Sequence, residues 1–230
     1  MKEQRLTAII RHIPNALTVI RLLLTVIFLG LILYAPHTGQ AKPAKVLMTA
    51  FALFVIAGLT DIVDGPIARR FNVTSRFGRI VDPLADKVLV CGSFLCFAIV
   101  GQPALANFHL PPWAGHAIRW GTAIILLGRE VLVQTLRQIA ESRGVNFGAV
   151  ISGKIKMFVQ SFGIGTVLIG WSFVSRRWGD WFTLITYLAV IGFTLYSGLE
   201  ALHRPIRQSF AVSCGQEKSA APTKESTLLK

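Results

Sequence analysis

Apolar residues are grouped into six long stretches separated by short polar segments. The stretches lie at about 16–34, 46–64, 83–101, 117–136, 150–174 and 181–201. Each is close to the ~20 apolar residues that a helix needs to cross a bilayer. The pattern therefore predicts an all-α, polytopic membrane protein with six transmembrane helices.

The two ends of the chain depart from this pattern. Residues 1–15 place aliphatic side chains at helical spacing among basic ones, which is typical of an amphipathic helix lying in the headgroup plane. Residues 204–230 are polar and mixed in charge, a composition that favours a disordered, solvated cytoplasmic tail. We therefore expect an N-terminal interfacial helix over 1–15, a six-helix domain over 16–203 and the tail.

Composition and charge agree with a membrane protein. Hydrophobic residues make up 53% of the chain and charged residues 15%, whereas soluble domains have about 25% charged residues. The net charge of +13 would suit a nucleic-acid partner, but the basic residues lie in short loops between the stretches, so no nucleic acid is expected. Seventeen Lys and Arg fall on one side of the predicted membrane and five on the other. This bias predicts that both termini are cytoplasmic, in a multi-pass protein of the cell (inner) membrane.

Four aspartates lie between the second and third apolar stretches. Asp61 and Asp64 are three residues apart, and Asp82 and Asp86 are four apart, so each pair projects from one face of a helix. Four carboxylates at close range cannot all stay ionised without cations between them. Oxygen ligands favour Mg²⁺ or Mn²⁺ over zinc. The spacing therefore predicts a divalent metal site.

Small residues and an arginine accompany the carboxylates. Gly65 and Ala68 leave a nearly bare helix surface, Gly78 permits a tight turn or close approach, and Arg69 can fork onto phosphate oxygens. Such a set suits a two-metal clamp on a pyrophosphate, with one carboxylate accepting the proton of an attacking hydroxyl. The alternative is a set of helix-end carboxylates paired with nearby arginines. Ionisable groups in membrane helices are usually functional, which favours the metal site.

The whole segment follows the pattern D-x2-D-G-x2-A-R-x8-G-x3-D-x3-D. It resembles the signature of the CDP-alcohol phosphatidyltransferases, integral membrane enzymes of phospholipid synthesis. The resemblance implies a six-helix catalytic core, a homodimer, two divalent ions, and attack of an acceptor alcohol on a CDP-alcohol with release of CMP. It assigns metal binding to the four aspartates, with Asp86 also the general base. The residues that would frame the CDP moiety are Gly65, Ala68, Arg69 and Gly78.

The entry to the first apolar stretch also resembles this family. Asn15, Thr18 and Arg21 fall at i, i+3 and i+6, roughly one helix face, from which Asn15 and Thr18 would reach the nucleotide. The alternative is a helix N-cap followed by an arginine that extends to the membrane interface.

A second group of basic residues resembles the bacterial branch of the family that makes phosphatidylglycerophosphate. The group comprises Gly128-Arg129-Glu130, Arg137 and Gly153-Lys154-Ile155-Lys156, although Met157 stands where that branch commonly has Thr. Arg129 lies within an apolar stretch, where it requires a partner or a polar cavity. We expect Arg129, Arg137 and Lys154 to bind a phosphate on the acceptor. For Arg137 and Lys154 the alternative is loop charge that sets topology.

The expected reaction is transfer of the phosphatidyl group of CDP-diacylglycerol to sn-glycerol 3-phosphate. Alternative acceptors within the same family are inositol phosphate, phosphatidylglycerol and serine. A cation transporter is a distant alternative, since clustered carboxylates also line ion paths. A transporter would place its carboxylates near the midplane on several helices, whereas here they cluster at one predicted cytoplasmic edge.

Overall fold

The computed structural model of the chain describes most of the backbone and a smaller set of side chains. The described backbone covers residues 2–39, 43–70, 76–105, 108, 111–142, 151–174 and 176–219. Side chains are described for 16–39, 43–60, 84–105, 108, 111, 113–139, 142, 155–174 and 176–202.

The described backbone is helical throughout its regular elements, with no strand, which confirms the all-α prediction. The helices are α1 Lys2–Tyr34, α2 Ala44–Arg70, α3 Arg76–Val100, α4 Pro112–Ser142, α5 Ile151–Phe173 and α6 Arg177–Ser219. A short 3-10 helix, Ala35–Thr38, follows α1. Each of the six predicted apolar stretches coincides with one of the six α-helices.

Helix α3 ends at a glycine, Gly101, a residue that commonly follows the last turn of a helix. Gly101 adopts a left-handed backbone with φ of 77°. The amide of Gly101 donates to the carbonyl of Ala98 at 3.4 Å, and the amide of Gln102 donates to the carbonyl of Phe97 at 2.8 Å. These two bonds satisfy carbonyls that the helix end leaves without intrahelical partners. The chain can therefore turn sharply towards α4.

The helices pack as a bundle around aromatic and aliphatic side chains. Helix α1 packs against α2 and α3, α5 packs against α2, α3 and α6, and α4 packs against α3 and α6. The ring centroids of Phe28 and Phe54 lie 5.5 Å apart, and those of Phe94 and Tyr187 lie 5.6 Å apart. All four rings are buried. Leu126 of α4 and Ile164 of α5 belong to the same buried cluster. Its burial therefore fixes the relative positions of α3, α4 and α5, which carry the described part of the site.

Many large apolar side chains face outward instead. Val26, Ile124 and Leu188 are each more than half exposed. By length and composition, two described segments are apolar enough to cross a membrane, Ala16–Thr38 and Arg177–Leu202, and Ala44–Thr60 is a shorter apolar helix. The number of helices that span the membrane stays a prediction.

The predicted domain boundaries fall inside helices. Helix α1 runs unbroken from Lys2 to Tyr34, so the predicted interfacial helix and the first apolar stretch form one continuous element. Helix α6 continues to Ser219, past the predicted start of the tail at residue 204. Residues 204–219 include Arg, Gln, Ala, Glu and Lys, which are strong helix formers and can extend a packed helix. The side of the membrane on which each end of the chain lies stays a prediction.

Candidate active site

The two aspartate pairs lie on consecutive helices at one end of the bundle. Helix α2 ends at Arg70 and α3 begins at Arg76, so the connection of residues 71–75 spans at most about 20 Å. So short a connection keeps the end of α2 close to the start of α3, and both helices pack against α1 and α5. The C-terminal part of α2 and the N-terminal part of α3 are therefore at the same end.

The four positions also lie at matched depths from that end. Asp64 precedes the end of α2 by six residues, and Asp82 follows the start of α3 by six, which places both about 9 Å along their helices. Asp61 and Asp86 lie nine and ten residues from the same helix ends, or about 14–15 Å along. The backbone thus arranges the four aspartate positions in two layers of two.

Several predicted site residues have side chains outside the described residues. The backbones of all of these residues are helical. They are Asn15 in α1, Asp61, Asp64, Gly65, Ala68 and Arg69 in α2, Gly78 and Asp82 in α3, and Lys154 in α5. Their roles stay predictions.

Asp86 is the aspartate of the motif whose side chain is described, and it lines a cavity of about 140 Å³ between α3, α4 and α5. The other polar lining residues are Lys87, Glu130, Lys156 and Gln160. Two acidic and two basic side chains therefore meet at one small space. This arrangement can accept a proton at a carboxylate and receive an anionic group at an ammonium.

Glu130 connects the cations on this side of the bundle. Its Oε1 accepts a hydrogen bond from Arg129 Nη1 at 3.0 Å and another from Lys156 Nζ. The side chain of Glu130 is 17% exposed and that of Lys156 is 6% exposed. Because burying an unpaired charge is costly, the pairing stabilises all three groups within apolar helices. The trio carries a net charge of +1.

Arg129 is held from a second side by α6. Its Nη2 donates to Ser197 Oγ at 2.6 Å. A Cβ at Gly198 would lie 3.3 Å from Arg129 Cγ, so the absence of a side chain at Gly198 leaves room for the arginine stem. Two of the Arg129 donor atoms, Nη1 and Nη2, are therefore paired within the protein, as a charged group in an apolar helix requires. Its buried Nε has no hydrogen-bond partner among the described residues.

Two other predicted site residues with described side chains, Arg137 and Thr18, are not among the residues that line this cavity. Arg137 is exposed on α4, eight residues beyond Arg129 and therefore about 12 Å along the helix. Thr18 is buried on α1, and Arg21 is only 1% exposed there. Because α1 packs against both α2 and α3, Thr18 lies on the helix that adjoins the two aspartate-bearing helices.

The structure adds residues that the sequence prediction did not include in the site. Lys156 has its side chain at the cavity, together with Lys87 and Gln160. Residues four apart on a helix share a face. The sequence did contain a signal for this finding, because Lys156 and Gln160 are two polar residues at i and i+4 in the otherwise apolar helix α5.

Comparison with known proteins identifies the family of this chain. Residues 11–195 match the CDP-alcohol phosphatidyltransferase family. The chain belongs to this family. It is therefore a phosphatidyltransferase, as the resemblance of the aspartate motif had indicated.

Three bacterial relatives are similar over most of the chain. The CDP-diacylglycerol–glycerol-3-phosphate 3-phosphatidyltransferase of Bacillus subtilis is 32% identical over 198 residues, covering 82% of this chain and 92% of the relative. The enzyme of the same description from Escherichia coli K12 is 30% identical over 195 residues, covering 83% and 93%. A probable phosphatidylglycerophosphate synthase of Mycobacterium tuberculosis H37Rv is 33% identical over 160 residues, covering 70% and 67%.

Proposed function

We propose that this enzyme transfers the phosphatidyl group of CDP-diacylglycerol to sn-glycerol 3-phosphate, giving phosphatidylglycerophosphate and CMP. The observation that carries the proposal is the cavity shared by Asp86, Lys87 and Lys156. It combines a carboxylate that can take a proton with ammonium groups that can bind an anionic acceptor. The descriptions of the relatives from Bacillus subtilis and Escherichia coli support the same acceptor.

In the proposed reaction a hydroxyl oxygen of the acceptor forms a bond to the phosphorus that carries the diacylglycerol. The bond from that phosphorus to the oxygen of the CMP group breaks, and CMP leaves with that oxygen. The carboxylate of Asp86 accepts the proton of the attacking hydroxyl. Arg69 would bind phosphate oxygens of the CDP moiety through its fork of donors.

We further propose that the four aspartates hold two divalent ions, Mg²⁺ or Mn²⁺. Their matched depths on α2 and α3 and their all-oxygen chemistry fit such ions. When bound, the ions would neutralise charge on the pyrophosphate and on the leaving group. The residues that would frame the CDP moiety are Asn15, Thr18, Gly65, Ala68, Arg69 and Gly78.

The lipid substrate and the outward-facing apolar side chains support a location in the bilayer. We propose six spans, both termini in the cytoplasm, and the cell (inner) membrane as the site of action. The bias of Lys and Arg towards one side supports this orientation. We also propose that the enzyme acts as a homodimer, as expected from its family.

The acceptor is tested by measuring CMP release from CDP-diacylglycerol by purified protein in detergent, with Mg²⁺ or Mn²⁺. Glycerol 3-phosphate, inositol phosphate, serine and phosphatidylglycerol are offered one at a time. Metal-dependent release with glycerol 3-phosphate alone is expected. Release only with another acceptor would refute the proposed substrate. No release with any of the four in folded protein would also refute it and would mean that the acceptor is a different alcohol.

A matched pair of variants tests the cavity itself. Lys156→Met should impair turnover with glycerol 3-phosphate, because it removes a cavity cation while keeping a long side chain. Lys45→Met serves as the control, since Lys45 is an exposed lysine in the first turn of α2, at the end opposite the aspartates. Equal effects of the two substitutions would contradict the assignment of the cavity as the acceptor site.

A further inference from the structure

Glu130 is an acidic side chain in a position that should repel the proposed substrate. It lies in apolar helix α4 and lines the same cavity as Asp86. An anionic acceptor entering that cavity would experience repulsion from this carboxylate. A direct binding role for Glu130 is therefore unfavourable, and its position calls for another explanation.

The contacts of Glu130 give that explanation. One of its oxygens accepts from Lys156 on α5 and from Arg129 on α4. Arg129 in turn donates to Ser197 on α6. The four side chains form a continuous row across α5, α4 and α6. Since a lysine ammonium sits on a flexible four-carbon stem, the row fixes a group that would otherwise adopt many positions.

We propose that Glu130 is a positioning residue that holds the Lys156 ammonium at the cavity wall and, through it, sets the affinity for an anionic acceptor. This inference rests on the proposed function, in which the acceptor carries a phosphate. Without the carboxylate, Arg129 and Lys156 would be two neighbouring cations without a shared partner, and their repulsion would move Lys156 from the wall. The carboxylate keeps both close, at a net charge of +1.

A positioning role for Glu130 and a purely electrostatic effect of its charge predict opposite changes in the acceptor KM for Glu130→Gln. The substitution removes one negative charge from the cavity and keeps the side-chain shape. Charge alone would tighten binding of an anion and lower the KM for glycerol 3-phosphate. Positioning predicts that this KM rises about fivefold or more, because a neutral amide holds the lysine less strongly than a carboxylate does. The KM for CDP-diacylglycerol should change by less than about twofold.

A double-mutant cycle tests whether Glu130 acts through Lys156. Lys156→Met alone should raise the KM for glycerol 3-phosphate, and Glu130→Gln added to it should raise that KM no further. Additive increases would overturn the proposal, because they would mean that Glu130 acts independently of the lysine. A fall in the KM of the single variant Glu130→Gln, or no change, would also overturn it.

Val190→Ala is the structural control. Val190 is buried on α6 and packs beside Gly163 of α5, so the substitution weakens the contact between α5 and α6 without touching a residue that lines the cavity. We expect this variant to lower the melting temperature without changing the KM for the acceptor. If both KM values rise together in Glu130→Gln and in Val190→Ala, the role of Glu130 is only structural and the proposal is wrong.

A binding measurement separates this inference from the proposed reaction. Glycerol 3-phosphate is titrated into wild-type protein and Glu130→Gln without CDP-diacylglycerol, with binding followed by calorimetry. Weaker binding to the variant supports positioning even if no turnover with this acceptor is found. Equal or tighter binding to the variant, or no binding to either protein, overturns the inference whatever the outcome of the CMP assay.

Discussion

The junction of α3, α5 and α6 leaves no room for a side chain at Gly163. A Cβ built on Gly163 would lie 2.9 Å from Val190 Cγ2 and 3.5 Å from Phe94 Cζ. The first distance is well below an ordinary contact between carbon atoms, and the second is within the usual range. Gly163→Ala therefore forces either the Val190 side chain or helix α5 to move.

The expected cost follows from two opposing terms. Overpacking of a filled core costs about 1–3 kcal/mol, while Ala in place of Gly within a helix stabilises it by about 1 kcal/mol. We expect Gly163→Ala to lower the free energy of unfolding by about 1 kcal/mol. For a chain of this size that corresponds to a fall of about 2–4 °C in melting temperature.

The sign should reverse when the obstructing methyl group is removed. Val190→Ala eliminates the Cγ2 atom that the new Cβ would meet, so only the helix-forming advantage of alanine remains. Adding Gly163→Ala to Val190→Ala should therefore raise the melting temperature above that of Val190→Ala alone. The control is Gly192→Ala on α6, where an added Cβ meets no described atom within 4 Å and which should be stabilising by itself.

Thermal unfolding in detergent, followed by circular dichroism on all five proteins, measures these differences. Equal destabilisation by Gly163→Ala in both backgrounds would refute the assigned contact with Val190. Stabilisation in both would refute the close packing of α5 on α6. Because α5 also carries Lys156, two turns before Gly163, a displaced α5 should also raise the KM for the acceptor.

Three further predictions concern the chemistry. Asp86→Asn should lower turnover by at least about 10²–10⁴-fold, because the general base is lost, while CDP-diacylglycerol still binds in an equilibrium assay; normal turnover would refute the base assignment. Arg137→Ala should mainly raise the KM for a phosphorylated acceptor, and a change confined to the CDP-lipid would show that Arg137 belongs to the other substrate. Removal of divalent ions with EDTA should abolish CMP release, and Mg²⁺ or Mn²⁺ should restore it; full activity in EDTA would refute the metal site.

The helices were predictable from the sequence because their signals are local. Runs of about 20 apolar residues predicted the positions of the six α-helices in the described residues, and a glycine such as Gly101 ends a helix through its own backbone freedom. The aspartate motif was equally local, since residues three or four apart must share a helix face. These features depend on near neighbours in the chain.

The partners across the bundle were not predictable in the same way. Arg129 was expected to need a partner, but the choice of Ser197 depends on how α4 and α6 are rotated and packed. Gly198 matters only because the Arg129 stem passes over it. The pairing of Lys156 with Glu130 likewise depends on which face of α5 meets α4. Such pairings arise from long-range packing, which a single sequence does not specify locally.

Identification of the lipid product tests the central claim most directly. Purified protein is incubated with CDP-diacylglycerol, ¹³C-labelled glycerol 3-phosphate and Mg²⁺, and the lipids are analysed by mass spectrometry, with Asp86→Asn as the control. The account predicts labelled phosphatidylglycerophosphate formed in equal amount to CMP, and none with the variant. CMP accompanied by unlabelled phosphatidic acid would show hydrolysis instead of transfer and would contradict the account.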